Sequence, residues 1–428
     1  MKKLAINGGP KTIEQSFPHY NSIGENEILA VEKVMRSGQL SKFLGSWGDD
    51  FLGGPKVKEF EDAWAKHFGV RYAVSVNSLT SGLIAAVGAI GIEPFDEVIT
   101  SPWTMCATAT SILVWNGIPV FADIDEGTYN LDPKSVEKNV TERTRAIIVP
   151  DIFGQSANLK EIMKIAKQYN LKVIEDAAQA PHSLYREKFT GTTGHIGGFS
   201  LNYHKHIHTG EGGMMVTNDK NLAERMQLIR NHGEAAVGGS ERNDINNIIG
   251  FNFRLGEIEA AIGLEQLKRL PTLSTAKTEA GSMLCKELSK LHGIYIPKQE
   301  KESTHVYYIF GFRIDESELG ISRETIINAL RAEGVPHIYP GYANLHLLPL
   351  YQKRIAYGSK GFPWISNGYT SSVRYEKGTY PIAERLHEKE FVSLQMCQHS
   401  YTEEETNLVV KAFKKVWENL NELRSYSL

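Results

Sequence analysis

The stretch RAIIVPDIFGQSANLKEIMKIAKQYNLKVIED, residues 145–176, decides the fold class. Its first five residues (RAIIV) are a short apolar run with β-branched side chains, and KVIE at 172–175 is a second such run. Between them, residues 159–169 carry apolar side chains at helical spacing. Working outward, YAVSV at 72–76, residues 97–100 and residues 119–122 read as further strands. Residues 80–90 and 105–114 read as helices. Short apolar runs separated by helical patterns predict an α/β protein, with a mainly parallel sheet and helices on both faces.

Towards the C-terminus the pattern changes. A helix is expected from 255 to about 270, stopped by Pro271, and a second over 272–291. A strand at 306–314, a helix at 323–333 and a closing amphipathic helix at 402–420 suggest a smaller α/β domain. The expected division is a large domain at 1–270, with an N-terminal arm at 1–25, and a small domain at 271–428. Residues 338–375, rich in Gly, Pro, Tyr and Ser, are expected to form a long loop.

The bulk properties narrow the function. At 428 residues, with 41% hydrophobic and 23% charged side chains, the chain has the balance of a globular protein of two or three domains. A net charge of −3 offers no basic field to a nucleic acid backbone. The cysteines Cys106, Cys285 and Cys397 are scattered, which suits neither a disulfide framework nor a zinc knuckle. No run approaches the roughly 18 apolar residues of a membrane span. Met1-Lys2-Lys3 is followed by LAINGGPKT rather than an apolar targeting segment. The simplest expectation is a cytoplasmic enzyme.

Three segments carry candidate chemistry. In KVIEDAAQAPHS (172–183), Asp176 falls at the carboxyl end of a strand, where open α/β sheets bind ligands. Such an acid on its own is more often a cap or a solvated loop residue. In GGFSLNYHKHIHTGEGGMMVT (197–217), Lys205 stands among Phe199, Leu201, Tyr203 and Ile207, ahead of a Gly-rich turn. Burial would lower its pKa and make it a usable amine nucleophile. His204, His206 and His208 alternate with it; in an extended chain all three would face the side opposite Lys205. Their spacing strains a single metal sphere, so hydrogen-bonded packing is the expected role. In NSLTSGLIAA (77–86), a Ser/Thr/Gly turn opens a helix, which is either an ordinary N-cap or a phosphate cradle.

Together these segments become specific. With GGPKVKEFEDAWAKHFGVRYAVSVNSLTSGL (53–83), SPWTMCATAT (101–110) and GFNFRLGEIEAAIGLEQL (250–267), the chain resembles the DegT/DnrJ/EryC1/StrS family of pyridoxal 5′-phosphate (PLP) dependent sugar aminotransferases over essentially its whole length. The resemblance implies the fold-type I architecture, with a seven-stranded type of sheet. It also implies that Lys205 holds PLP as a Schiff base. Asp176 would pair with the pyridine nitrogen, and Gln179 would lie near the ring's 3′ oxygen. Thr80, Ser81 and Ser200 would hold the phosphate, together with Asn252 from the neighbouring subunit of a homodimer. Arg254 and His346 are expected on the substrate side. No metal is implied.

Three departures from the family pattern stand out. Where relatives place an aromatic residue on the PLP ring, this chain has Met105, with Trp103 two residues earlier, so either could cover the ring. A Gly common before Thr80 is Leu79. A His common ahead of the hydrophobic-Gly motif is Asp151. With the opening LAINGGPKT, these lean towards members acting on cyclitols or sugars without a nucleotide. The expected reaction moves an amino group from glutamate or glutamine to the ketone or aldehyde of a sugar or cyclitol. The rivals are a PLP-dependent keto-sugar dehydratase of the same family, in which histidine replaces the lysine, and a non-catalytic ligand-binding regulator.

Overall fold

The computed structural model describes residues 3–239 and 242–424. Seven strands form the principal sheet: β1 (Tyr72–Val76), β2 (Glu97–Thr100), β3 (Ile118–Phe121), β4 (Thr144–Pro150), β5 (Lys172–Asp176), β6 (Ile196–Ser200) and β7 (Gly213–Thr217). Their order is β1-β7-β6-β5-β4-β2-β3. The run β6-β5-β4-β2-β3 is parallel, while β7 pairs antiparallel with both β6 and β1. Central strands such as β4 and β5 are buried on both faces, hence their near-continuous apolar sequence. The parallel sheet expected from residues 145–176 is therefore the one observed.

The helices α1 (Glu25–Ser37), α2 (Pro55–Phe68), α3 (Leu79–Ala89), α4 (Cys106–Val114), α5 (Leu159–Gln168) and α6 (Lys220–Arg230) flank this sheet. Helix α2 is pinned to it by a buried ion pair: Arg230 Nη1 lies 2.5 Å from Glu61 Oε1, which also accepts from the N–H and hydroxyl of Ser75 on β1. Breaking one side of such a pair costs about 3–5 kcal/mol, because the other charge stays buried.

A second sheet of four strands has the order β8-β9-β11-β10. The strands are β8 (Ile294–Tyr295), β9 (Ile309–Ile314), β10 (Ile338–Pro340) and β11 (Phe391–Gln395). Leu284, Phe310, Phe312, Ile327, Leu394 and Phe413 fill its core with α8 (Arg323–Ala332) and α9 (Glu403–Glu418). Leu4, Ile13 and Phe17 of the N-terminal arm pack into this same core rather than onto the large sheet. No helix among the described residues is long and apolar enough to cross a membrane.

Three features differ from the sequence expectation. A single helix, α7, runs Glu257–Leu288 through Pro271, so the expected break at 270 falls inside a helix. An interior proline costs roughly 3 kcal/mol. Here both halves are anchored: Gly263 lies against the Phe60 ring, and Leu284 and Leu288 enter the second core. The segment 338–375 is not wholly loop, since it begins with β10 and includes a short helix at Pro349–Lys353. Strand β11, which pairs with both β9 and β10, carries a Ser at its centre and was not anticipated.

Candidate active site

Asp176 is the last residue of β5 and is buried beside Pro150, its register partner at the end of β4. Its Oδ2 accepts from Thr108 Oγ1 at 2.8 Å, and its Oδ1 from the Ala178 N–H at 3.3 Å. Burial raises its pKa; the two hydrogen bonds and the charge of Lys205 act in the opposite direction. The carboxylate thus lacks a full counter-charge, which a protonated ring nitrogen would provide. Thr108 was not anticipated. Its hydroxyl lies 3.1 Å from that of Thr104, just ahead of α4.

Lys205 sits on the connection 201–212 between β6 and β7, a hairpin closed at Ser200 and Gly213. The connection is a series of turns, with the Lys205 N–H on the Asn202 carbonyl at 3.0 Å. The expected alternation of histidines opposite the lysine does not hold, because a turn lacks the two-residue repeat of a strand. His206 is fully buried along with Lys205, and its Nε2 lies 2.8 Å from the Val306 carbonyl. Burial pushes His206 down to about 3 and His204 down to about 4, so both are neutral packing groups at ordinary pH. Burial likewise lowers Lys205 to about 8, with Asp176 opposing the shift. Uptake of PLP by the cofactor-free protein should therefore rise with pH and reach half its maximum near 8. Stopped-flow absorbance measures this directly; a midpoint above 10 would mean an unperturbed lysine.

The remaining side chains enclose a cavity of about 180 Å³ with Asp176 and Lys205 on its walls. At one end is the first turn of α3. Ser78 caps it, accepting from the Ser81 N–H at 3.2 Å. Helix α3 approaches the hairpin closely because a Cβ on Gly213 would stand 2.7 Å from the Leu79 nitrogen. Leu79, the departure noted above, is accommodated over Gly198, where a Cβ would meet Leu79 Cδ1 at 2.7 Å. Ser78, Thr80 and Ser200 line the cavity at this end, whereas Ser81 turns inward, its Oγ 3.0 Å from that of Ser78. A helix N-terminus with clustered hydroxyls suits a phosphate.

Gln179 also lines the cavity. Its Oε1 accepts from the Phe153 N–H at 2.8 Å, which directs Nε2 to the Tyr342 oxygen at 3.0 Å and leaves its second N–H free. The structure separates Met105 from Trp103. Met105 lines the cavity and is 56% exposed, while Trp103 is fully buried among Tyr129, Phe153, Tyr342 and Phe391. Met105, and not Trp103, is therefore the side chain that faces the cavity. Asp151 is buried in the cavity wall, its Oδ1 on the Ala157 N–H at 2.9 Å; burial first, then Glu175, pushes its pKa well up.

Three expected residues lie elsewhere. Asn252 is exposed beside Asn77, and Arg254 Nε donates to its Oδ1 at 2.8 Å; neither lines the chain's own cavity. His346 is a correction: it is fully buried against the Tyr380 ring, with Nε2 3.0 Å from Glu384 Oε1. A side chain enclosed in this way does not meet a substrate.

A mainly parallel seven-stranded sheet, with a buried acid at a strand end and a desolvated lysine lining one cavity with the first turn of α3, defines a fold-type I PLP-dependent transferase. The DegT/DnrJ/EryC1/StrS aminotransferase family model matches residues 21–374, and the chain belongs to that family. It is a PLP-dependent aminotransferase. It is 35% identical over 358 residues to the spore coat polysaccharide biosynthesis protein SpsC of Bacillus subtilis, covering 82% of this chain and 89% of that one. It is 37% identical over 298 residues to GDP-perosamine synthase of Caulobacter vibrioides, covering 68% and 79%. The solved aminotransferase of Psychrobacter cryohalolentis superposes with a TM-score of 0.80 at 29% identity, over 95% of this chain and all of that one.

Proposed function

We propose that this aminotransferase moves the amino group of glutamate or glutamine to the keto carbon of a sugar, for polysaccharide or related amino-sugar synthesis. The observation that carries the reading is Lys205, an amine depressed to about 8 that shares a cavity with the buried Asp176. The relatives named for spore coat polysaccharide and for GDP-perosamine support a sugar acceptor. PLP, when bound, supplies the electron sink and carries the amino group between the two substrates.

The chain's own groups do the rest. Asp176 would hold the positive charge of the ring nitrogen, and Thr108, which donates to its Oδ2, would keep that carboxylate in place. Ser78, Thr80 and Ser200, with the N–H groups of α3, would bind the phosphate; Ser81 supports the cap. Gln179 would offer its free N–H to the 3′ oxygen, and Met105 would cover the ring through its polarizable sulfur. Lys205 Nζ takes a proton from the donor's α-carbon in the first half of the cycle. It delivers one to the acceptor carbon in the second.

The working unit in this reading is a homodimer. Asn252 and Arg254, outside their own cavity, would complete the site of the second copy. Leu40, Leu44, Trp47, Ile245 and Ile249 are exposed apolar side chains suited to burial between copies. Among the described residues no Arg or Lys other than Lys205 lines the cavity, so a diphosphate on the acceptor would lie outside it.

The test is spectroscopic. Glutamate should convert the yellow protein to the pyridoxamine form, and a panel of free and nucleotide-linked keto sugars should then restore the colour selectively. A protein whose spectrum ignores glutamate and glutamine alike is not this aminotransferase.

A further inference from the structure

Lys205 Nζ has no hydrogen-bond acceptor among the described residues, yet it is buried. What it meets is an aromatic face: Nζ lies 4.1 Å from the centroid of the Tyr308 ring. Tyr308 stands on the segment leading into β9, a strand of the second sheet. That segment is fastened on both sides, by the Val306 N–H to the Gly154 carbonyl at 2.8 Å and by His206 Nε2 at 2.8 Å from the Val306 carbonyl. The ring is buried in the aromatic cluster that contains Trp103 and Phe153. It is thus a rigid surface, and the lysine loop is tied to the strand that bears it.

We propose that Tyr308 is a positioning residue whose ring face seats the free ε-amine of Lys205 as an ammonium; this rests on the reading that Lys205 is the lysine that carries the cofactor. A ring quadrupole attracts the cation but holds the neutral amine far more weakly. A carbonyl or carboxylate in the same place would engage a specific N–H and restrict the lone pair. A flat ring imposes no such direction. The ammonium rests on Tyr308, and loss of its proton frees the amine to swing into the cavity. The other ionisable groups that influence Nζ are Asp176 from β5 and Cys397, which follows β11. The neutral rings of His204 and His206 flank Tyr308 at 6.1 and 6.4 Å.

The experiment reads the lysine rather than turnover. In full-length protein freed of PLP, the pH dependence of Lys205 acetylation by acetic anhydride, followed by peptide mass, gives its pKa. Tyr308→Phe should leave that value within about 0.3 units, and Tyr308→Leu should lower it by about 0.5–1 unit. Replacing Tyr308 by mono-, di- and trifluorophenylalanine keeps shape and packing while weakening the ring's negative face, so the pKa should fall stepwise. A flat fluorinated series, or a Leu variant equal to wild type, overturns the proposal. Borohydride reduction and peptide mapping test the lysine assignment separately. A label away from residue 205 defeats that assignment, whereas a label on Lys205 with an unmoved pKa defeats only the role of Tyr308.

Discussion

Lys205→Ala should abolish transamination, lowering kcat by roughly 10⁴-fold or more, and borohydride should no longer fix PLP to the protein. The size follows from two tasks performed by one nitrogen. It is the nucleophile that secures the cofactor and the base that moves the proton, and positioned proton transfer alone contributes about 10²–10⁴-fold. His204 and His206 cannot substitute. Both are held neutral and far below the useful range, and His206 is fixed on the Val306 carbonyl. Added methylamine should restore part of the rate by supplying a diffusible base. The informative contrary result is a variant that loses transamination but still removes water from a keto sugar. That outcome would identify a dehydratase, with a neighbouring histidine taking the lysine's place.

Asp176→Asn should cost roughly 10²- to 10³-fold in transamination with much smaller changes in secondary structure. Asparagine keeps the shape and can still accept from Thr108, so the loss isolates the charge. Removing one member of a buried pair costs about 3–5 kcal/mol, and each 1.4 kcal/mol is tenfold. The sign is set by burial: desolvation raises the carboxyl pKa, and a cation in the cavity acts in the opposite direction by favouring the ionised form. Wild-type protein should accordingly bind PLP much more tightly than the variant, as equilibrium dialysis would measure. If the Asn variant keeps its rate within about twofold, the acid is not the ring-nitrogen partner.

Much of the site was legible because strands report their ends. An apolar run that stops at Glu175-Asp176 places the second acid at the carboxyl edge of a parallel sheet, and the fold puts it there. Thr80 was readable from a turn opening a helix, a local pattern, whereas Ser200 followed only from the family resemblance. The histidine alternation was misread for a local reason too. Residues 201–212 are turns, and the two-residue repeat of a strand has no meaning there. His346 failed differently: nothing in its neighbourhood announces that Glu384, far along the chain, would enclose it.

The amino-acid sequence by itself determined the parallel sheet, the family, and the placement of Lys205 and Asp176, since each depends on periodicity or on a contiguous motif. Tertiary structure alone decided that Met105 rather than Trp103 faces the cavity, and that the helix continues through Pro271. It alone brought Thr108 to Asp176, Tyr342 to Gln179 and Tyr308 to Lys205. The physical reason is common to all of these. They are pairings between segments distant in the chain, settled by which surfaces bury together, and local sequence carries no record of its partner.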